Sequence, residues 1–116
     1  MIRQVKELCC YFHIGGKFEI NAEGVVQYNG GYLKMKSMRE GITFDALRSM
    51  IAAWLGLDCN ICDMKYTVRH DEKMLINLDD DDEVMNLFTY NEGIGHIYIA
   101  SRGNDTSSPI KNDVYM

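Results

Sequence analysis

The sequence predicts an α+β domain in which two helices pack on one mixed sheet, in the order ββαββαβ. Three observations predict it. Apolar residues recur at helical spacing twice, over residues 44–55 and again over 84–88. Short runs of alternating, aromatic and β-branched residues flank both helices. The first and last of these runs, 10–14 and 97–100, are apolar enough to be buried on both faces, as central parallel strands are.

Each element has its own justification. Residues 8–14 are rich in strand formers and stop at Gly15-Gly16, a turn signal. Cys9 and Cys10 are adjacent here and so face opposite sides of the strand. Lys17-Phe18-Glu19-Ile20 alternates polar and apolar, the pattern of a half-buried strand. Residues 21–24 read as a turn, and strand character resumes over 25–28. Asn29-Gly30-Gly31 interrupts it as a bulge or bend. Residues 32–38 then alternate again, with Leu33 and Met35 on one face.

Thr43 is a good N-cap. From Phe44, the residues Leu47, Met50, Ile51, Trp54 and Leu55 follow helical spacing. Asp45 in the first turn suits the helix dipole, and Gly56 is placed to stop the helix. Residues 58–62 form a loop and 63–68 a strand with Met64, Tyr66 and Val68 on one side. Residues 69–73 are a charged turn and 74–78 a short strand. The aspartate run 79–82 opens the second helix, capped by Asp80 or Asp81, with Val84, Leu87 and Phe88 facing inward. Each carboxylate there gains about 0.3–1 kcal/mol from the helix dipole, which offsets part of their mutual repulsion. Residues 96–100 are the last strand. From Ser101 the composition turns small and polar, so the expected organisation is a domain over 1–100 and a flexible tail or linker over 101–116. The element order, with first and last strands parallel at the sheet centre, is that of a ubiquitin-like β-grasp.

A chain of 116 residues with 47% hydrophobic content is one domain and needs neither disulfide nor metal to build a core. A net charge of -5 argues against nucleic acid and anionic membrane as partners, since both demand a basic surface. No apolar run approaches membrane-spanning length. Residues 1–6 lead into no signal-peptide core, so the expected location is intracellular, with Cys9, Cys10, Cys59 and Cys62 reduced.

The aspartate run carries the most functional information. Acidic blocks are ordinarily solvated tails, yet this one has core-like residues on both sides. Fixed like charges repel, and a fold that holds them together presents a surface for lysine or arginine. Calcium is a poor alternative, because the spacing lacks an EF-hand loop. Cys59-x-x-Cys62 suggests a small zinc or thiol protein as an alternative function. No second ligand pair has knuckle spacing, and the motif follows a helix instead of opening one. Gly15-Gly16 and Gly30-Gly31 open no helix and have no Gly-Lys-Ser/Thr tail, so they are turn glycines, not a phosphate loop. His13, His70 and His96 share no spacing with a nucleophile. Met50, Trp54 and Met64 read as core. No catalytic residue, metal ligand, cofactor or small-molecule substrate is assigned.

Tyr11-Phe12-His13-Ile14-Gly15-Gly16-Lys17-Phe18 followed by Val26-Gln27-Tyr28-Asn29-Gly30-Gly31 resembles the paired Gly-Gly strands of plant PB-one (Phox and Bem) interaction domains. Ile42-Thr43-Phe44-Asp45-Ala46-Leu47 resembles that family's first helix, and Met64-Lys65-Tyr66 its third strand. Residues 74–84 resemble its acidic motif and second helix. The likeness covers residues 7–100, and most closely suggests the N-terminal PB-one-like domain of plant Mutator-like transposases and the host proteins derived from them. The resemblance implies front-to-back association, acidic face to basic face, with no enzyme activity in this domain. It also implies a nuclear parent protein. The acidic face would comprise Asp71, Glu72, Asp79, Asp80, Asp81, Asp82 and Glu83. The family's first acidic positions after the third-strand tyrosine fall near Val68 and Arg69 here, so the acidic motif is only partial, and its basic-face lysine falls near Cys9, with Lys6 displaced. Lys6, Lys34, Lys36 and Arg39 are the candidates for a basic face.

The expected function is therefore a non-catalytic interaction module that binds a protein with a basic patch, either another PB-one domain or a further copy of itself. The remaining alternatives are the thiol protein, a scaffold without retained binding, and a ubiquitin-like modifier. The modifier needs a terminal Gly-Gly where this sequence reads Val114-Tyr115-Met116.

Overall fold

Alternation in the first strand sets the architecture. In a computed structural model, which describes residues 5–102, strand β1 (Glu7–Ile14) buries Leu8, Cys10, Phe12 and Ile14 completely or nearly so. Its alternate residues, Cys9, Tyr11 and His13, are only half-buried. The two rows face different layers. Chain order continues with β2 (Lys17–Ile20), β3 (Val26–Asn29), β4 (Tyr32–Arg39), helix α1 (Phe44–Leu55), a 3-10 turn (Cys59–Ile61), β5 (Cys62–Val68), β6 (Asp71–Asn77), helix α2 (Asp81–Thr89) and β7 (Ile94–Ser101).

Five strands form the main sheet in the order β4-β1-β7-β5-β6. β1 and β7 run parallel with Phe12 opposite Ile97, and the other pairs are antiparallel. This is the β-grasp arrangement expected from the sequence. Both helices lie on the Phe12 side. Leu47 and Ile51 of α1 and Val84, Leu87 and Phe88 of α2 close the core over Leu8, Phe12, Tyr66, Ile97 and Ile99. Each such side chain contributes about 1.5–3 kcal/mol by leaving water. Trp54 packs edge-on against Phe12, with ring centroids 5.2 Å apart. Gly56 ends α1 in the left-handed conformation, as its position predicted.

Three boundaries differ from expectation. Asn29-Gly30-Gly31 is not an irregularity within one strand: β3 pairs only with β2, in a separate two-stranded sheet, while β4 pairs with β1. The hairpin is an insertion on the sheet face away from the helices. It leaves and rejoins the main sheet through the two Gly-Gly pairs, where backbones nearly touch. A Cβ at Gly31 would meet the Ile14 carbonyl, and one at Gly16 would lie 2.5 Å from the Asn29 carbonyl. Next, the charged turn is shorter than expected, because β6 starts at Asp71 and leaves only Arg69-His70 between the strands, beside a register shift at Tyr66/Val68. Finally, β7 extends through Ser101, and the Arg102 guanidinium bonds Asp63 at 3.0 Å and the carbonyls of Asn60 and Cys62. Most of the expected tail, from 103 on, lies outside the described residues. Among the described residues, no helix is long and apolar enough to cross a membrane.

On the hairpin side, aromatic rings replace aliphatic packing. Phe18 and Tyr28 face inward, and Tyr28 stands near His13 and Tyr98. The Tyr28 hydroxyl accepts the Gly16 N–H at 2.8 Å and lies within donating distance of the carbonyls of Ile99 (2.7 Å) and His13 (3.1 Å). One phenol thus ties the hairpin to β1 and β7. Burial raises its pKa above the usual tyrosine value.

Candidate functional site

Both helices begin at the same end of the molecule. Thr43 Oγ1 accepts from Ala46 N at 3.1 Å and caps α1. Asp80 Oδ1 accepts from Glu83 N at 2.9 Å and caps α2. Asp81 reaches across the gap: its Oδ1 accepts the backbone N–H of Phe44, the first residue of α1, at 2.7 Å. Neighbouring carboxylates therefore satisfy unpaired N–H groups on both helices, at the positive ends of two dipoles. Glu83 turns the other way. Its Oε1 accepts the Tyr66 hydroxyl at 2.6 Å and the Asn86 amide at 3.3 Å. Burial and this carboxylate hold the Tyr66 phenol well above the usual range.

Asp79 and Asp82 are left over. Both are exposed, and among the described residues neither carboxylate has a hydrogen bond or ion pair. Asp45, beside Phe44, joins them: its side chain is 92% exposed and touches Arg48 only at 4.0 Å. Asp45 was read from the sequence for its dipole effect alone. Nothing in linear spacing brings it to the aspartate run; the bond from Phe44 to Asp81 does. The acidic end thus has three outward charges, Asp45, Asp79 and Asp82, on a frame built by Asp80, Asp81 and Glu83.

Asp71 and Glu72 are not brought to this cluster. They start β6 and the aspartate run follows its far end, so about 20 Å of strand separates them. The basic candidates also divide. The Lys6 ammonium donates to the Phe88 carbonyl at 2.5 Å, within an open groove of about 650 Å³ between the α1 entry and α2. Arg39 pairs with Glu7 at 3.6 Å. Lys34 and Lys36 lie on β4 opposite Phe12 and Cys10, so they share the helix side. Their ammoniums stand 5.9 and 4.9 Å from the Trp54 ring centroid.

Burial raises the pKa of Cys59 and Cys62, and Cys10 is pushed up to about 12. Among the described residues no three metal-ligating side chains converge. On the hairpin face, His13 Nε2 and His96 Nδ1 are 3.0 Å apart and share one proton position. His13 stacks on Tyr98 at 4.0 Å, and burial followed by the His96 charge lowers its pKa from 6.5 to about 4.

No family model matches the chain, and no curated protein matches it. Solved structures do. The AtNBR1-PB1 domain superposes with a TM-score of 0.56 at 13% identity, covering 83% of this chain and 98% of that one. The C-terminal ubiquitin-like domain of mouse tubulin-specific chaperone e gives 0.58 at 12% identity, covering 90% and 95%. The fold is that of PB1 and ubiquitin-like domains.

Proposed function

We propose that this chain is a non-catalytic protein–protein interaction module that associates by charge pairing through the end where α1 and α2 begin. The observation that carries this reading is the division of labour among the carboxylates. Asp80, Asp81 and Glu83 are held by N–H and O–H donors, so Asp79 and Asp82 are displayed on a rigid frame with no ion pair among the described residues. A rigid display reduces the ordering cost of an ion pair, and such pairs set orientation and association rate. The partner is a protein surface bearing Lys or Arg, on another domain of this fold or on a second copy. Lys34 and Lys36 favour the second copy as an alternative, since they are basic and accessible on the same chain. The thiol reading is disfavoured by raised Cys59 and Cys62 pKa values, which suppress the reactive thiolate. The sequence resemblance supports a nuclear parent of the Mutator-like transposase type, intracellular, with the segment beyond β7 as a linker.

Titration with an arginine-rich peptide at low and high salt tests the charge display. Binding that weakens with salt and is lost in Asp79→Asn/Asp82→Asn is expected; equal binding by that variant would sink the proposal. Light scattering over a concentration series separates the two partners. Mass that grows with concentration and falls with salt identifies a second copy, and a monomer at all concentrations identifies a different protein.

A further inference from the structure

The strand β4 carries information that the acidic end does not use. It is one edge of the main sheet: β1 pairs with it along all eight of its residues, and among the described residues no strand pairs with its other side. Alternate backbone N–H and C=O groups of an antiparallel edge strand point outward, ready for another strand. Natural edges are commonly blunted by bulges, prolines, short length or charged side chains. β4 has no bulge or proline and is eight residues long. Its charges, Lys34, Lys36 and Arg39, are all basic, so they repel a basic strand and leave the edge open to an acidic one. It exposes Tyr32, Leu33 and Met35 by 58, 57 and 58%. Its two faces differ in chemistry. Leu33 and Met35 lie on the side of His13 and Tyr11, whereas Lys34 and Lys36 lie on the α1 side over Trp54.

We infer that β4 accepts an extended segment of a partner protein in which acidic residues alternate with apolar ones, added as a sixth strand to the sheet. Alternation is required because successive side chains of the added strand point to opposite faces. Its carboxylates would then meet Lys34 and Lys36, while its apolar residues cover Leu33 and Met35. Backbone bonds supply affinity and the two side-chain rows supply specificity. A second copy docking through its own β4 does not fit, because an antiparallel β4–β4 pair would set lysines against lysines on one face. This edge is separate from the acidic end, but the second-copy alternative also uses Lys34 and Lys36, so the lysine variant cannot tell them apart. Backbone methylation can, because only an added strand needs the outward groups of β4.

The test uses a short synthetic peptide of alternating Asp and Val, with the fluorescence of Trp54, the one tryptophan of the chain, as reporter. Saturable binding is expected, weakened about tenfold or more by Lys34→Glu/Lys36→Glu. Two N-methylated forms of the peptide read the geometry. One carries methyls on odd residues and the other on even residues, so only one blocks the N–H groups that face β4, and only that form should lose binding. The inference is overturned by absence of saturable binding, by equal binding of both methylated forms, by equal binding of a peptide with its Asp and Val residues in separate blocks, or by undiminished binding to the lysine variant.

Discussion

The two faces of the main sheet are built from different materials. The helix side is largely aliphatic, with Phe12, Tyr66 and Phe88 among its buried side chains; its polar groups sit at the margin, where helix starts gather carboxylates. The hairpin side is aromatic and half-buried; one phenol joins the hairpin to the sheet, over a histidine pair that links β1 to β7. The helix side gains from apolar burial, which is roughly proportional to area and indifferent to direction. The hairpin side depends on a few directional contacts and two close backbone crossings. It should therefore respond sharply to single atoms, while the helix side responds to volume and to buried donors.

The sharpest break is expected at the crossing. Gly31 has a φ of +89°, and an added Cβ would run into the Ile14 carbonyl and lie 2.7 Å from the Gly16 nitrogen. Gly31→Ala should cost about 3 kcal/mol, as strain plus a backbone shift. Chemical denaturation measures this; a cost below about 1 kcal/mol would mean that the hairpin is not anchored at that crossing. On the helix side the comparable single-atom test is Tyr66→Phe. It leaves the Glu83 carboxylate without its buried hydroxyl donor, a loss of about 2 kcal/mol for a bond to a charged group. If Tyr66→Phe proved neutral, Glu83 would not be held in the frame that displays Asp79 and Asp82.

The same contrast explains what was legible in the sequence. Period and caps identified α1, α2 and their inward residues, because amphipathic spacing and Thr43, Gly56 and Asp80 act locally. Alternation identified the strands, and the apolar runs at 10–14 and 97–100 identified the central parallel pair. The hairpin insertion was not legible. Gly30-Gly31 signals a break in any strand, and whether the chain bends within a sheet or passes to another depends on the distant Tyr28 bonds to β1 and β7. For the site, the aspartate run stood out, but its division into frame and display did not. That division is made by Phe44, Tyr66 and the α2 backbone, none of which marks its partner in sequence. Asp71 and Glu72 were grouped with the run by the family resemblance, which placed them in a turn before a short strand; they instead begin β6, whose full length lies between them and the run.

A smaller effect sharpens the comparison by pH. His13 has a folded pKa lowered from 6.5 to about 4, by burial first and by His96 second. The rings facing it are His96, Tyr28 and Tyr98. A depressed histidine pKa means that the unfolded chain takes up the proton first. Stability is then complete above pH 6.5 and declines as pH falls toward 4. His13 is only half-buried, so solvent screening reduces the full linkage to about 1 kcal/mol. His13→Phe should remove that part of the slope between pH 6.5 and 4; parallel slopes for the two proteins would show that the histidine pair does not hold the proton off.

The smallest stability effect is the most informative about function. Among the described residues neither the Asp79 nor the Asp82 carboxylate has a hydrogen bond or ion pair, and both lie in one acidic run with Asp80 and Asp81. Neutralising both removes like-charge repulsion, gives up part of the α2 dipole interaction and breaks no hydrogen bond, so with these opposing effects Asp79→Asn/Asp82→Asn should change stability by no more than about 0.5 kcal/mol. Asp80→Ala, one residue away, loses a cap and should cost about 1 kcal/mol. Side-by-side denaturation of the two variants separates display from frame. Equal losses would mean that all the carboxylates serve the fold. A stable double variant that no longer binds an arginine-rich peptide would mean that these two charges are kept for a partner and not for the fold.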